Sequence, residues 1–151
     1  MESAAETILS EAGFIRYEIS NYAKPGFACR HNLLYWTDGD YLGLGPSAQS
    51  YVCGVRFGNI ADLTAYGDLL AEHRLPITDR TDLSDIEQQQ DALIFGLRLL
   101  RGVPLNRIHN PEQHSKVHTL IAQGLLESTA DRIRLTALGR RYADTVAGEL
   151  F

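Results

Sequence analysis

Cysteine is scarce in this chain: Cys29 and Cys53 are its only two, and they stand far apart. With no secretory signal beside them, such a pair reads as reduced thiols and not as a disulfide framework. Basic residues are outnumbered, 14 Lys and Arg against 19 Asp and Glu, for a net charge of −5. That balance argues against nucleic-acid binding, because affinity for a phosphate backbone depends on clustered cations. No apolar run approaches the roughly 20 residues of a membrane span, so the chain is not expected to be an integral membrane protein. Residues 1–12, MESAAETILSEA, carry acids and no basic n-region, unlike a signal peptide. These absences together predict a cytoplasmic location. Internal repeats and low-complexity tracts are also missing.

What is present is ordinary in bulk and unusual in one place. The 151 residues are 44% hydrophobic and 22% charged, enough for one moderate core or two small ones. Residues 2–12 read as the end of a helix closed by Gly13. Phe14 to Asn21 then alternates Ile15, Tyr17 and Ile19 against Arg16, Glu18 and Ser20, the pattern of a strand. Residues 24–60 are rich in Gly, Pro and Asn, with short strand-like pieces at Asp40–Leu44 and Tyr51–Phe57. Their aromatic residues (Phe27, Tyr35, Trp36, Tyr41, Tyr51, Phe57) argue for order. Asp62 caps a helix from Leu63 to Glu72, and residues 76–83, PITDRTDL, read as a linker.

The second half has clear punctuation. Ser84 and Glu87 form a capping box ahead of Ile86, Leu93, Leu97 and Leu100 at helical spacing, and Gly102 and Pro104 end that helix. Asn110 caps the next helix with Pro111 at its first position; Val117, Leu120 and Ile121 supply the buried face. Leu125–Ser128 and Arg132–Thr136 read as a hairpin, and Thr136 caps a last helix with the stripe Leu138, Tyr142, Val146 and Leu150. Helix, helix, hairpin, helix is a winged-helix-like order. Its candidate recognition helix sets Glu112 against Lys116, and the wing sets Arg132 and Arg134 against Glu127 and Asp131. This nearly balanced face lacks the basic footprint of a DNA reader.

The densest chemistry lies in Tyr17 to Ser50, YEISNYAKPGFACRHNLLYWTDGDYLGLGPSAQS. Cys29 and His31 flank Arg30, and the aromatic pair Tyr35–Trp36 follows. Glu18, Ser20 and Arg16 share one strand face, either lining a polar interior or forming a solvated, salt-bridged face. YLGLGPSAQSY, residues 41–51, has glycines that let backbone approach a ligand, but no GK[ST] continuation of a phosphate loop. His114 and His118 stand four apart on a predicted helix with His109 before it. Zinc sites need three or four ligands, and spacing supplies no acid or cysteine to complete one, so no metal site is assigned.

The run HNLLYW resembles the HNxxYW signature of HemW-type haem chaperones, within the oxygen-independent coproporphyrinogen III oxidase-like proteins of the radical S-adenosylmethionine (SAM) superfamily. The resemblance spans nearly the whole chain and implies an α+β fold. In it, residues 1–75 would be the C-terminal portion of a radical SAM (β/α) barrel, and residues 76–151 a HemN-type C-terminal winged-helix-like domain. A complete family member is implied to bind SAM and a [4Fe-4S] cluster through CxxxCxxC. Two cysteines cannot make that site, so the chain reads as a C-terminal portion without radical chemistry of its own. The resemblance implies haem or porphyrin binding through Cys29, His31, Tyr35 and Trp36, with either Cys29 or His31 as the iron donor. It also implies delivery of haem to haem-accepting proteins. The alternative at these positions is a capped turn at Asn32, aromatics packed in the core and a surface His31.

Carried over by position, Ala23 at the strand end and Gln49 in PSAQS are expected at the adenosyl group of SAM. Many family members have GPGAHS where this chain has GPSAQS, so Ser47 and Gln49 depart from the pattern; a tight barrel-closing turn is the other reading. Two further functions stay open: part of a coproporphyrinogen III dehydrogenase of porphyrin biosynthesis, or a non-catalytic interaction domain. Half a barrel would expose strand edges, so a homodimer is expected.

Overall fold

Helix α1 (Glu2–Glu11) stops where the sequence predicts, at Gly13, whose N–H donates to the Ser10 carbonyl at 2.9 Å. The computed structural model describes residues 2–150, with side chains from residue 4 onward. It is a mixed α+β fold, and its contacts group the chain into two compact units: Met1–Asp38 together with Gln90–Phe151, and Gly39–Gln89.

In the first unit, α1 leads into a small antiparallel hairpin of β1 (Ile15–Arg16) and β2 (Tyr22–Ala23). The strand expected over residues 14–21 is therefore mostly not a strand. The alternation does not sort into one buried and one solvent face, since Ile19 packs against the core and Ser20 is exposed. Ile15 is 59% exposed, whereas Glu18 is fully buried and Arg16 keeps only 7% of its side-chain surface. Glu18 pairs as an isolated antiparallel bridge with Leu99, supported by the Ile19 N–H on the Arg98 carbonyl at 3.1 Å. Helix α2 (Arg30–Trp36) follows, inside the stretch read as loop. Its seven residues are too few for helical periodicity to stand out.

The core of this unit lies among the C-terminal elements. Helices α4 (Asp85–Leu97) and α5 (Pro111–Ala122) place Leu93, Leu97, Val117 and Leu120 against a three-stranded sheet and the last helix. That sheet runs β6 (Val103–Pro104), β8 (Arg132–Leu135), β7 (Leu126–Ser128) in antiparallel order, with Ile133 fully buried. Burying each such side chain contributes about 1.5–3 kcal/mol. The Asn110 side chain accepts from the Gln113 N–H at 2.8 Å, the expected cap of α5. Thr136 caps α6 (Ala137–Arg141) through the Gly139 N–H at 2.9 Å. The single last helix expected from the stripe is broken at Tyr142, and α7 (Ala143–Glu149) follows. Leu138 and Tyr142 stay outside at 46% and 52% exposure, while Val146 and Leu150 are buried.

The second unit is a sheet of β3 (Gln49–Val52), β4 (Val55–Asn59) and β5 (Ile77–Asp82), all antiparallel, with α3 (Leu63–Ala71) between β4 and β5. The strand-like piece Tyr51–Phe57 is really two strands joined by Cys53–Gly54. Both residues have positive φ, 49° and 78°, as a two-residue type I′ hairpin requires. Asp40–Leu44 contributes only the bridge Tyr41–Tyr51. The expected linker over 76–83 is the third strand. Five of its six residues are exposed, so backbone pairing holds it and no apolar pattern marked it. Asp62 caps α3 by accepting from the Ala65 N–H at 2.7 Å.

Candidate functional site

The HNLLYW segment folds as α2, started by Cys29, whose carbonyl accepts from the Leu33 N–H at 3.0 Å. Cys29 is a free, exposed thiol and supplies no side-chain cap. His31 and Tyr35, one turn apart, share a face. The Tyr35 hydroxyl lies 2.9 Å from His31 Nε2, with the rings edge to face at 5.0 Å. His31 is exposed and Tyr35 half-buried. Asn32 does not cap a turn: its Nδ2 donates to the Tyr17 hydroxyl at 3.3 Å.

Trp36 turns the other way. Its ring lies 6.4 Å from that of Phe95, and the guanidinium of Arg98 stacks over it at 4.5 Å from the centroid. Its indole N–H is buried without a hydrogen-bond partner. Arg98 reaches the buried Glu18, Nη2 to Oε2 at 4.0 Å. Glu18 Oε1 accepts from the Ser20 N–H at 2.7 Å and from Asn21 Nδ2 at 2.6 Å. Of the three residues expected on one strand face, Glu18 is therefore internal. Arg16 donates to the Ile19 carbonyl and lies 3.6 Å from Glu6, and Ser20 is exposed.

These surroundings fit a haem ligand at one end of α2 only. Cys29 and His31 offer an exposed sulfur and an imidazole within three residues, the donor types haem iron takes, with Tyr35 as the adjoining ring. Trp36 faces inward and does not form a wall beside them. The cluster does not fit: Cys29 and Cys53 belong to different compact units, and two thiolates are one short of the three ligands. Among the described residues no group of three or more His, Cys, Asp or Glu is placed to hold a metal.

The glycine-rich turn is strapped to the sheet and helix of its own unit. The Gly43 N–H donates to Ser50 Oγ at 2.9 Å, that of Gly45 to the Tyr66 hydroxyl at 3.1 Å, and that of Ser47 to the Ile60 carbonyl at 3.2 Å. Asn59 Nδ2 donates to the carbonyls of Gly45 at 2.9 Å and Gly43 at 3.3 Å. The turn's backbone groups are thus engaged internally. Gln49 is exposed on β3, its side chain lying over Gly58 where an added Cβ would sit 2.6 Å from Nε2. Ala23 is half-buried on β2, paired with Ile15.

The HemN C-terminal domain family matches residues 83–142. Heme chaperone HemW of Mycobacterium tuberculosis is 37% identical over 142 residues, covering 94% of this chain and 36% of that protein. Heme chaperone HemW of Escherichia coli K12 is 53% identical over 154 residues, covering 95% and 39%. The chain belongs to the HemN–HemW family. A solved structure of E. coli coproporphyrinogen III oxidase (HemN), a radical SAM enzyme, superposes with a TM-score of 0.75 at 17% identity, over 98% of this chain and 39% of that one. This HemW-type chain thus spans little more than a third of the length of the relatives it matches.

Sequence reasoning missed Arg98 in this region, and for Glu18 it left an internal and a solvated reading open, of which the structure shows the internal one. Arg98 follows α4 directly and reads as an ordinary terminal cation. A signal did exist: Arg98 continues the Leu93–Leu97 helix within a stretch otherwise apolar, LIFGLRLL.

Proposed function

We propose that this chain is the C-terminal portion of a HemW-type haem chaperone and contacts haem through the first turn of α2. Cys29 or His31 would hold the iron, and Tyr35 borders it and engages the imidazole. When bound, haem supplies the porphyrin-bound iron that is the cargo delivered to haem-accepting proteins. The observation that carries the reading is the exposure of Cys29 and His31 at the start of the helix formed by HNLLYW. Relatives named Heme chaperone HemW over nearly the whole chain support it. Ferric haem titrated into the 151-residue chain should give a shifted Soret band that weakens in H31A or C29S. An unshifted band in the parent chain, or one untouched in both variants and in their combination, would overturn the reading.

The same proposal extends to architecture and context. Residues 1–75 would complete a (β/α) barrel in a longer protein carrying SAM and [4Fe-4S], with Ala23 and Gln49 at the adenosyl group. Residues 76–151 would form the winged-helix-like domain, which the match over residues 83–142 supports. The expected location is the cytoplasm, and among the described residues no helix is long and apolar enough to cross a membrane. Pairing of exposed strand edges would give a homodimer; a monodisperse monomer in light scattering would count against it.

A further inference from the structure

Two cavities of the first unit meet beside the end of α4. One, about 250 Å³, has an apolar floor that includes Trp36, Phe95, Leu97 and Val146. The other, about 320 Å³, has Arg98, Arg140 and Arg141 in its wall. Arg98, Ala143 and Asp144 belong to both, so the apolar floor opens onto the arginines.

The charges here are unevenly matched. The Nε–H groups of Arg98 and Arg140 are both buried without a hydrogen-bond partner. Glu18 does not saturate Arg98, because Oε2 stands 4.0 Å from Nη2, beyond hydrogen-bond reach. Among the described residues that line the two cavities, Asp144 is the one acid, and it is itself exposed. Guanidinium forks match carboxylates in a two-bond geometry, and they do so most strongly where water is excluded. An apolar floor beside such forks selects a ligand with both characters.

We propose that this cleft binds a carboxylate carried on an apolar body, at Arg98 and Arg140 with the apolar part against Trp36 and Val146. The propionate edge of a tetrapyrrole and the head of a fatty acyl chain share that chemistry. The site does not depend on iron ligation at α2; only its assignment to a tetrapyrrole rests on the haem reading. Trp36 is the only tryptophan of the chain, so its fluorescence reports from the floor of the cleft.

The test titrates the 151-residue chain with metal-free protoporphyrin IX, its dimethyl ester, and laurate, following Trp36 emission. Without a metal, neither Cys29 nor His31 contributes by ligation, so failure of that reading and failure of this one are distinguishable. At least one free acid should bind, about tenfold more weakly to R140Q, and the ester about tenfold more weakly than the porphyrin acid. The tenfold is about the size of one lost charged hydrogen bond. Binding of the porphyrin acid assigns the site to tetrapyrroles; binding of laurate alone assigns it to acyl chains. No binding of either acid overturns the proposal, as does equal binding of the ester, or unchanged affinity in R140Q with a native circular-dichroism spectrum. Arg140, not Arg98, is the variant of choice because Arg98 also supports Trp36.

Discussion

The guanidinium of Arg98 lies 4.5 Å from the centroid of the Trp36 ring, with the buried Glu18 4.0 Å away from its Nη2. The tryptophan of the HNLLYW segment is therefore an anchor: it fixes α2 to the residues that follow α4. His31, five residues earlier in the same helix, stays exposed.

Replacing Arg98 by Met should destabilise the chain by about 3 kcal/mol, since it leaves the Glu18 carboxylate buried without its cation. It also removes the cation–π contact, worth about 0.5–2 kcal/mol. Adding Glu18→Gln should recover part of the loss. Urea unfolding checks this through the midpoint at constant slope; an R98M chain as stable as the parent would show the triad to be passive.

The Tyr35 hydroxyl occupies His31 Nε2 at 2.9 Å. If the iron takes that nitrogen, Tyr35→Phe should tighten haem binding about 2- to 10-fold, the value of one neutral hydrogen bond. Soret titration reads it directly. Unchanged affinity would point to Cys29 or to Nδ1 as the donor.

Gly139 sits in α6 where an added Cβ would run into the Leu125 carbonyl oxygen, a backbone atom with little room to move. Gly139→Ala should therefore destabilise by about 1–3 kcal/mol, the cost of overpacking, although alanine is the better helix former. Gly148→Ala, at a helical position with nothing within 4 Å of the added Cβ, should stabilise slightly. Thermal melts of the two variants should move in opposite directions.

The Glu87 carboxylate accepts from the Ser84 hydroxyl at 2.7 Å and from the Ser84 N–H at 2.8 Å. These bonds, the hydroxyl's first, hold its pKa below the usual carboxylate value. A carboxyl lowered in the folded state contributes stability above its unfolded pKa and loses it as pH falls through the folded one. The advantage of the parent chain over S84A should thus be present at neutral pH and shrink below the usual carboxylate range. Paired urea melts across that range measure it; a pH-independent gap would assign the effect to the Ser84 side chain as cap alone.

Local signals carried the capped elements and tertiary pairing carried the rest. Asp62, Ser84, Asn110 and Thr136 each start a helix as read, because a cap is a contract between residues three apart and needs no distant partner. The core face of Leu93, Leu97, Val117 and Leu120 follows from periodicity, and HNLLYW was the most specific part of a resemblance to the HemN–HemW family that spans nearly the whole chain. Strand β5 was invisible because its residues are held by β4, not by their own hydrophobicity. Helix α2 was too short to show a period. The site divided along the same line. The residue types at Cys29, His31 and Tyr35 were legible in order along the chain. That Trp36 faces inward under Arg98, and that Glu18 is buried, was decided only when residues 17–19 paired with residues 98–100. Contacts across some eighty positions are set by packing and leave no local pattern to read.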